Sequence, residues 1–323
     1  MAGPAVLLIV SGLLASGCSV RKIAVNKLGD ALAQSGTTFS SDNDPELVKD
    51  ALPFSLKLIE SLLAESPRHR GLLFAAASGF TQYTYAFVVQ EADETAPVNL
   101  ERATEMRARA RNLLLRARDY GLRGLETRLR GFPAAVNADP RQAAKAAAKQ
   151  DVPLLYWTAA SWGLAISISK NDMALVADQP AVEALIDRAL ELDESFDEGA
   201  IHSFLISYEA SRQGAEGDWM ERARRHFDRA VALSGGFQAG PFVSLAESVA
   251  VARQDRKEFQ SLLERALAVD VNARAEYRLV NIIMQRRARW LLSRIDDLIL
   301  DPGKSGFPAP GFWESMLSRF RSR

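Results

Sequence analysis

The residues best suited to metal binding or nucleophilic chemistry are few: three histidines, His69, His202 and His226, and one cysteine, Cys18. No two of the histidines are spaced to share one helix face around a metal ion. The chain contains no G-x-S-x-G elbow, phosphate-binding loop, dinucleotide fingerprint or H-E-x-x-H. Asp42 and Asp44 fall in a turn-rich stretch, but no glycine and closing glutamate follow at the spacing of a calcium loop, so they read as loop and helix cap. The expectation is therefore a protein that is not an enzyme, with no catalytic residues, no metal ligands and no cofactor.

Cys18 has a different chemistry. Residues 4–16 are almost wholly apolar or small, too short a run to span a bilayer permanently but of the length of a secretory signal. The run leads through Leu14-Ala15-Ser16-Gly17 directly into the cysteine, which resembles a bacterial lipoprotein signal. On that reading residues 1–17 are removed and Cys18 is acylated as the first mature residue. Two features depart from the pattern: Ala15 stands where leucine is usual, and no Lys or Arg precedes the run. An ordinary cleaved signal and a buried free thiol are the alternatives. A lone cysteine forms no internal disulfide, so lipid is the simplest use for it. Ser19 rather than Asp after the cysteine favours the outer membrane in the lipoproteins it resembles.

Aromatic side chains form the other conspicuous grouping. Tyr83 and Tyr85 lie on a stretch, 72–89, that is apolar nearly all round, and Tyr156, Trp157 and Trp162 lie within seven residues among Ala, Ser, Thr and Gly. Such residues suit a helix packed closely on several neighbours, and they suit equally the wall of an apolar pocket. His202 sits beside Phe204, Leu205 and Ile206, where a histidine is either a hydrogen-bonded structural residue or a polar group at such a wall.

The elements that must position these residues are helices. The steps Arg188-Ala189, Arg229-Ala230 and Arg265-Ala266 lie within three similar helix-ending phrases and recur at intervals of 41 and 36 residues (188 to 229, 229 to 265), a period of stacked helical hairpins. Ala223-x3-Phe227-x2-Ala230 matches the second helix of a tetratricopeptide repeat, with small residues at a close approach. The first-helix pattern is missing, so the expected fold is all-α, of degenerate tetratricopeptide-like hairpins, α-solenoid-like. Arg116-Ala117 lies 72 residues before Arg188-Ala189 and falls in the same register, with Tyr120-Gly121-Leu122 as its turn and the glycine as C-cap. Asp44-Pro45-Glu46 is a strong helix start. These signals divide the chain into a signal at 1–17, a tether with a short helix at 18–43, a helical repeat domain at 44–300 and a Gly/Pro-containing tail at 301–323.

A chain of 323 residues, 48% hydrophobic and 25% charged, has an ordinary folded composition. Forty basic and forty acidic side chains cancel, so no global field draws it to nucleic acid. The arginine-rich helix from Leu100 to Arg118 and the segment Gln285-Arg286-Arg287-Ala288-Arg289 read as paired, solvated faces.

Several ordered phrases together resemble one family, the T components of TRAP transporters associated with tetratricopeptide-repeat proteins. They are Asp44-Pro45-Glu46-Leu47 with Ala51-Leu52-Pro53-Phe54, Gly79-Phe80-Thr81-Gln82-Tyr83, and Arg116-Ala117-Arg118-Asp119-Tyr120-Gly121-Leu122-Arg123-Gly124. Leu155-Tyr156-Trp157-Thr158-Ala159, Gly199-Ala200-Ile201-His202, Phe227-Asp228-Arg229-Ala230 and Arg287-Ala288-Arg289-Trp290-Leu291-Leu292 continue the series. The resemblance implies a lipid-anchored accessory on the periplasmic side of the envelope. Its implied partner is a periplasmic substrate-binding protein, and it implies a homotrimer whose helices surround an apolar channel. In that setting Tyr83, Tyr85, Tyr156, Trp157, Trp162 and His202 become the candidate cavity residues. A generic tetratricopeptide-like scaffold for envelope assembly is the alternative function.

Overall fold

The side chain of Asp44 accepts the backbone N–H groups of Glu46 and Leu47, each at 3.1 Å, and Pro45 occupies the first helical turn. This cap starts the first long helix in a computed structural model that describes residues 36–212 and 214–300 together with Lys27. Cys18, the expected signal at 1–17 and the tail at 301–323 lie outside the described residues.

Every regular element among the described residues is helical. A short α1 (Gly36–Ser40) precedes α2 (Pro45–Glu65), and α3 runs from Arg70 to Thr95. His69 caps α3, its Nδ1 accepting the N–H of Leu72. Asn99 caps α4 (Leu100–Glu126) through the N–H of Arg102. Next come α5 (Phe132–Ala138), α6 (Pro140–Lys145), α7 (Val152–Ser167), α8 (Met173–Val176), α9 (Gln179–Leu192) and α10 (Ala200–Tyr208). The last part comprises α11 (Trp219–Leu233), α12 (Gly240–Leu245, continued by a π turn over Ala246–Ala250), α13 (Arg256–Ala268), α14 (Arg278–Ser293) and α15 (Ile295–Leu298).

The longer helices pair: α3 on α4, α4 on α7, α7 on α9, α10 on α11, and α13 on its neighbours α12 and α14. The alanines of the recurring Arg-Ala steps, Ala117, Ala189, Ala230 and Ala266, are all buried. A methyl group is the largest side chain that lets helix backbones approach closely at such a point. Helix α3 is long and apolar enough to cross a membrane, yet 67% of its most apolar stretch is buried against other helices, as in the centre of a helical array.

Gly121 corrects the expected turn. Helix α4 runs through it to Glu126, and a Cβ at Gly121 would come within 2.1 Å of Thr158 Oγ1 on α7. One helical turn on, a Cβ at Gly124 would meet Leu154 Cδ2 at 2.7 Å. Both glycines serve helix–helix contact rather than chain reversal. Gly199 combines the two demands, with a left-handed φ of 97° and room for a Cβ only 3.2 Å from Leu233 Cβ on α11.

The array also closes on itself. Arg286 of α14 pairs with Glu46 of α2 at 2.8 Å, and Arg278 donates to the Ser41 carbonyl at 2.8 Å. Ile283 of α14 joins the buried cluster formed by α2, α3 and α4. A second cluster is centred on α7 and a third on α11 to α15.

Candidate functional site

Of the six residues singled out by sequence, Tyr83, Tyr85, Tyr156 and Trp162 are distributed over the three clusters. Tyr83 is buried in the first, its ring tilted on Phe87 at 5.9 Å, and its hydroxyl accepts a bond from Arg109 at 3.3 Å. Tyr85, two residues on, starts a π turn over Tyr85–Val89 and packs on the third cluster. Trp162 is buried in the second cluster; its indole N–H donates to Asp178 at 3.2 Å and the Arg118 guanidinium lies 5.0 Å from its ring. Tyr156 and Trp157 meet edge to face at 4.9 Å and remain half-buried. His202 is buried on α10, its Nδ1 2.8 Å from His226 Nδ1 on α11. The structure therefore joins Tyr156 to Trp157, and separates Tyr83, Tyr85, Trp162 and His202 from one another.

Tyr156 leads to an outer groove. Its ring lies 5.4 Å from Phe196, which with Ala148, Val152 and Pro153 forms the apolar wall of a groove of about 550 Å³. Lys149 and Asp193, paired at 3.2 Å, form its polar rim. Burial, then the Asp197 carboxylate, push the Tyr156 hydroxyl far above its ordinary value. After Phe196 the chain turns through three left-handed residues, Asp197 (φ 45°), Glu198 (φ 48°) and Gly199 (φ 97°). Two consecutive non-glycine residues in that region are held against their own preference by the packing of Gly199 on α11.

A polar cluster that sequence reasoning missed lies where α3, α12 and α14 meet. Arg287 Nε and Nη2 donate to Glu247 Oε1 at 3.0 and 2.6 Å, and Nη2 also donates to Asp93 Oδ2 at 3.0 Å. Asp93 in addition pairs with Arg107 of α4 at 3.0 Å. The basic run 285–289 is thus split. Arg286 stays on the outer face, whereas the Arg287 side chain is only 10% exposed. Helical periodicity turns neighbouring positions by about a quarter of a circle, but nothing in the local sequence says which arginine of the run faces inward.

A second buried charge cluster braces α7. Asp151, fully buried at its start, accepts from Arg70 at 2.8 Å, from Arg128 at 3.0 and 2.9 Å, and from the Ala148 N–H at 2.9 Å. Burial opposes its ionisation, and these donors outweigh it, so its carboxyl is held below the ordinary value. This site is structural: every oxygen is engaged and none is offered to a ligand.

The fold and these clusters define an all-helical array of degenerate tetratricopeptide-like hairpins with charged and aromatic groups held between its helices. The chain belongs to the TRAP transporter T-component family, whose model matches residues 41–299, nearly the whole described array. It is also 30% identical over 309 residues to an uncharacterized protein of Treponema pallidum (strain Nichols), a match covering 90% of this chain and 96% of the relative. The family is one of transporter components rather than enzymes.

Proposed function

We propose that the protein is a lipid-anchored T component on the periplasmic face of the envelope, with the outer membrane as its place. There it scaffolds a periplasmic substrate-binding protein of a TRAP transporter and holds an apolar ligand between its helices. The observation that carries this reading is the family match over residues 41–299, which coincides with the closed helical array. The Cys18 junction supports the anchor. Phe196 in the wall of an apolar groove, with the half-buried Tyr156 against it, supports the ligand, because binding pockets are mainly apolar with a few polar groups at the rim.

Purification of the acylated protein from membranes, with mass spectrometry of the proteins and lipids that accompany it, tests the proposal. A co-purifying periplasmic binding protein is the expected result. Recovery of cell-wall or outer-membrane assembly proteins in its place would favour the generic scaffold. Cys18→Ala should leave the protein soluble or unprocessed, since stable anchoring needs the acyl chains; equal membrane retention of the variant would remove the anchor from the model.

A further inference from the structure

Helix α4 carries Arg102, Arg109, Arg116 and Arg123 at an unbroken spacing of seven residues, which sets them along one face, about 10.5 Å apart down the axis. Three of the four rest on an aromatic ring. The guanidinium carbon of Arg109 lies 6.0 Å from the centre of the Tyr83 ring, that of Arg116 5.5 Å from Phe80, and that of Arg123 5.3 Å from Tyr120. A guanidinium already held over a ring loses little freedom when it meets an acid. Arg109 and Arg116 remain exposed, so their outer N–H groups stay open to a partner.

The charge of this row is only partly matched. Arg109 bonds to the Tyr83 hydroxyl and Arg123 to the Pro67 carbonyl, and neither has a carboxylate partner among the described residues. Arg116 reaches Glu60 at 3.5 Å, but that carboxylate is already held by Lys57 at 2.5 Å and by the Tyr120 hydroxyl at 2.8 Å. Asp119, between Arg116 and Arg123 in sequence, is taken by Arg118 at 2.8 Å. The face expected to be paired and solvated is thus solvated and short of acids. A groove of about 360 Å³ follows it, lined by Leu115 and Tyr120 together with Asn112, Arg116, Asp119 and Arg123.

We propose that this face of α4 docks an acidic helix of the protein partner, one whose carboxylates recur at the same seven-residue spacing. A row on one helix is matched by an equal row on another laid along it, and each guanidinium takes a carboxylate through two parallel bonds. Leu115 and Tyr120 give the partner apolar surface to bury between those charges. A lipid surface or another polyanion presents phosphates without gaps, and Asp119 in the groove repels those that fall between the arginines. Spaced carboxylates avoid it. The inference rests on the scaffold reading above and adds the face and the chemistry of the contact.

The test uses the full-length chain and two labelled peptides of one composition, followed by fluorescence anisotropy. The first is helical with glutamate at every seventh position; the second holds the same residues in shuffled order. The spaced peptide should bind more tightly, and Arg109→Gln/Arg116→Gln/Arg123→Gln should weaken it by about tenfold, the size of three exposed ion pairs. Arg109→Gln alone, which removes one bond to Tyr83, is a second variant and should weaken it about twofold. Melting temperatures of both are checked against the parent. Equal binding of the two peptides, or binding unchanged in the folded variants, overturns this face. Tighter binding of phosphatidylglycerol vesicles than of the spaced peptide overturns the stated partner. A triple variant that still brings a periplasmic binding protein down from membranes overturns this face and leaves the scaffold reading standing. A parent that brings down none and binds neither peptide overturns both.

Discussion

Nδ1 of His202 lies 2.8 Å from Nδ1 of His226, so one ring donates and the other accepts, and the bond fails when both nitrogens carry protons. The pair stands in a row of charges. His202 Nε2 is 3.1 Å from Glu194, which Arg229 binds with two bonds, and His226 Nε2 is 3.6 Å from Glu209, which Arg222 binds. Hydrogen bonding to Arg229 leads the causes that hold Glu194 down to about 2, so this carboxylate stays charged throughout the range in which histidines titrate.

The pH dependence follows from His202, whose pKa is lowered by burial first and by His226 second, against the pull of Glu194. The native state resists a proton that the unfolded chain accepts near its ordinary value of about 6.5. This contribution to stability is complete above that value and declines as pH falls through it. Urea midpoints should drop between about pH 7.5 and about pH 5.5, and the drop should be smaller in His202→Gln. Equal drops in parent and variant would show that the pair does not govern acid sensitivity.

Gly121→Ala should destabilise by about 1–3 kcal/mol, because the new methyl meets Thr158 Oγ1, which is itself anchored to the Leu154 carbonyl at 2.5 Å. Gly124→Ala meets the end of the flexible Leu154 side chain and should cost less. Urea unfolding of the two variants gives the order; the reverse order would contradict this packing of α4 on α7.

Asp151→Ala should cost about 3 kcal/mol, the low end for breaking a buried ion pair, since Arg70 and Arg128 each keep about a third of their side-chain surface in water. In the parent, the lowered carboxyl pKa adds stability that is present above about 3.9 and is lost as pH falls below it. Chemical denaturation at neutral and acidic pH checks both statements. A variant whose stability matched the parent's at neutral pH would show that the cluster contributes nothing to holding α7.

Trp162→Ala should cost about 3–5 kcal/mol, as removal of a ring from dry core does. Trp157→Ala, on the half-buried side of the same helix, should cost less and should alter the binding of apolar compounds at the Phe196 groove. Thermal shift and tryptophan quenching with long-chain and aromatic compounds distinguish the two. Large destabilisation in both variants, with no compound shifting the parent, would make both rings simple core.

Helix content, the cap at Asp44 and the recurring buried alanines were legible in the chain because they depend on neighbours within a few residues. Capping, periodicity and small residues at repeated positions act through backbone hydrogen bonds and local geometry, so residue order is enough to determine them. The phrases around Gly121, Tyr156 and Phe227 likewise sufficed to indicate the family. What the order of residues left undetermined is which side chains meet across helices. His202 and His226 share no helix face, yet α10 and α11 bring their rings into hydrogen-bond contact. Gly121 read locally as a stop and proved to be a close approach, since only the position of Thr158 on α7 forbids a Cβ there. Arg287 looked like its solvated neighbours until the return of α14 onto α2 placed it among Asp93, Glu247 and the two π turns. Those decisions belong to the tertiary structure because the partners are remote in sequence, and the energy of a charge or a methyl group depends on what surrounds it after the helices have packed.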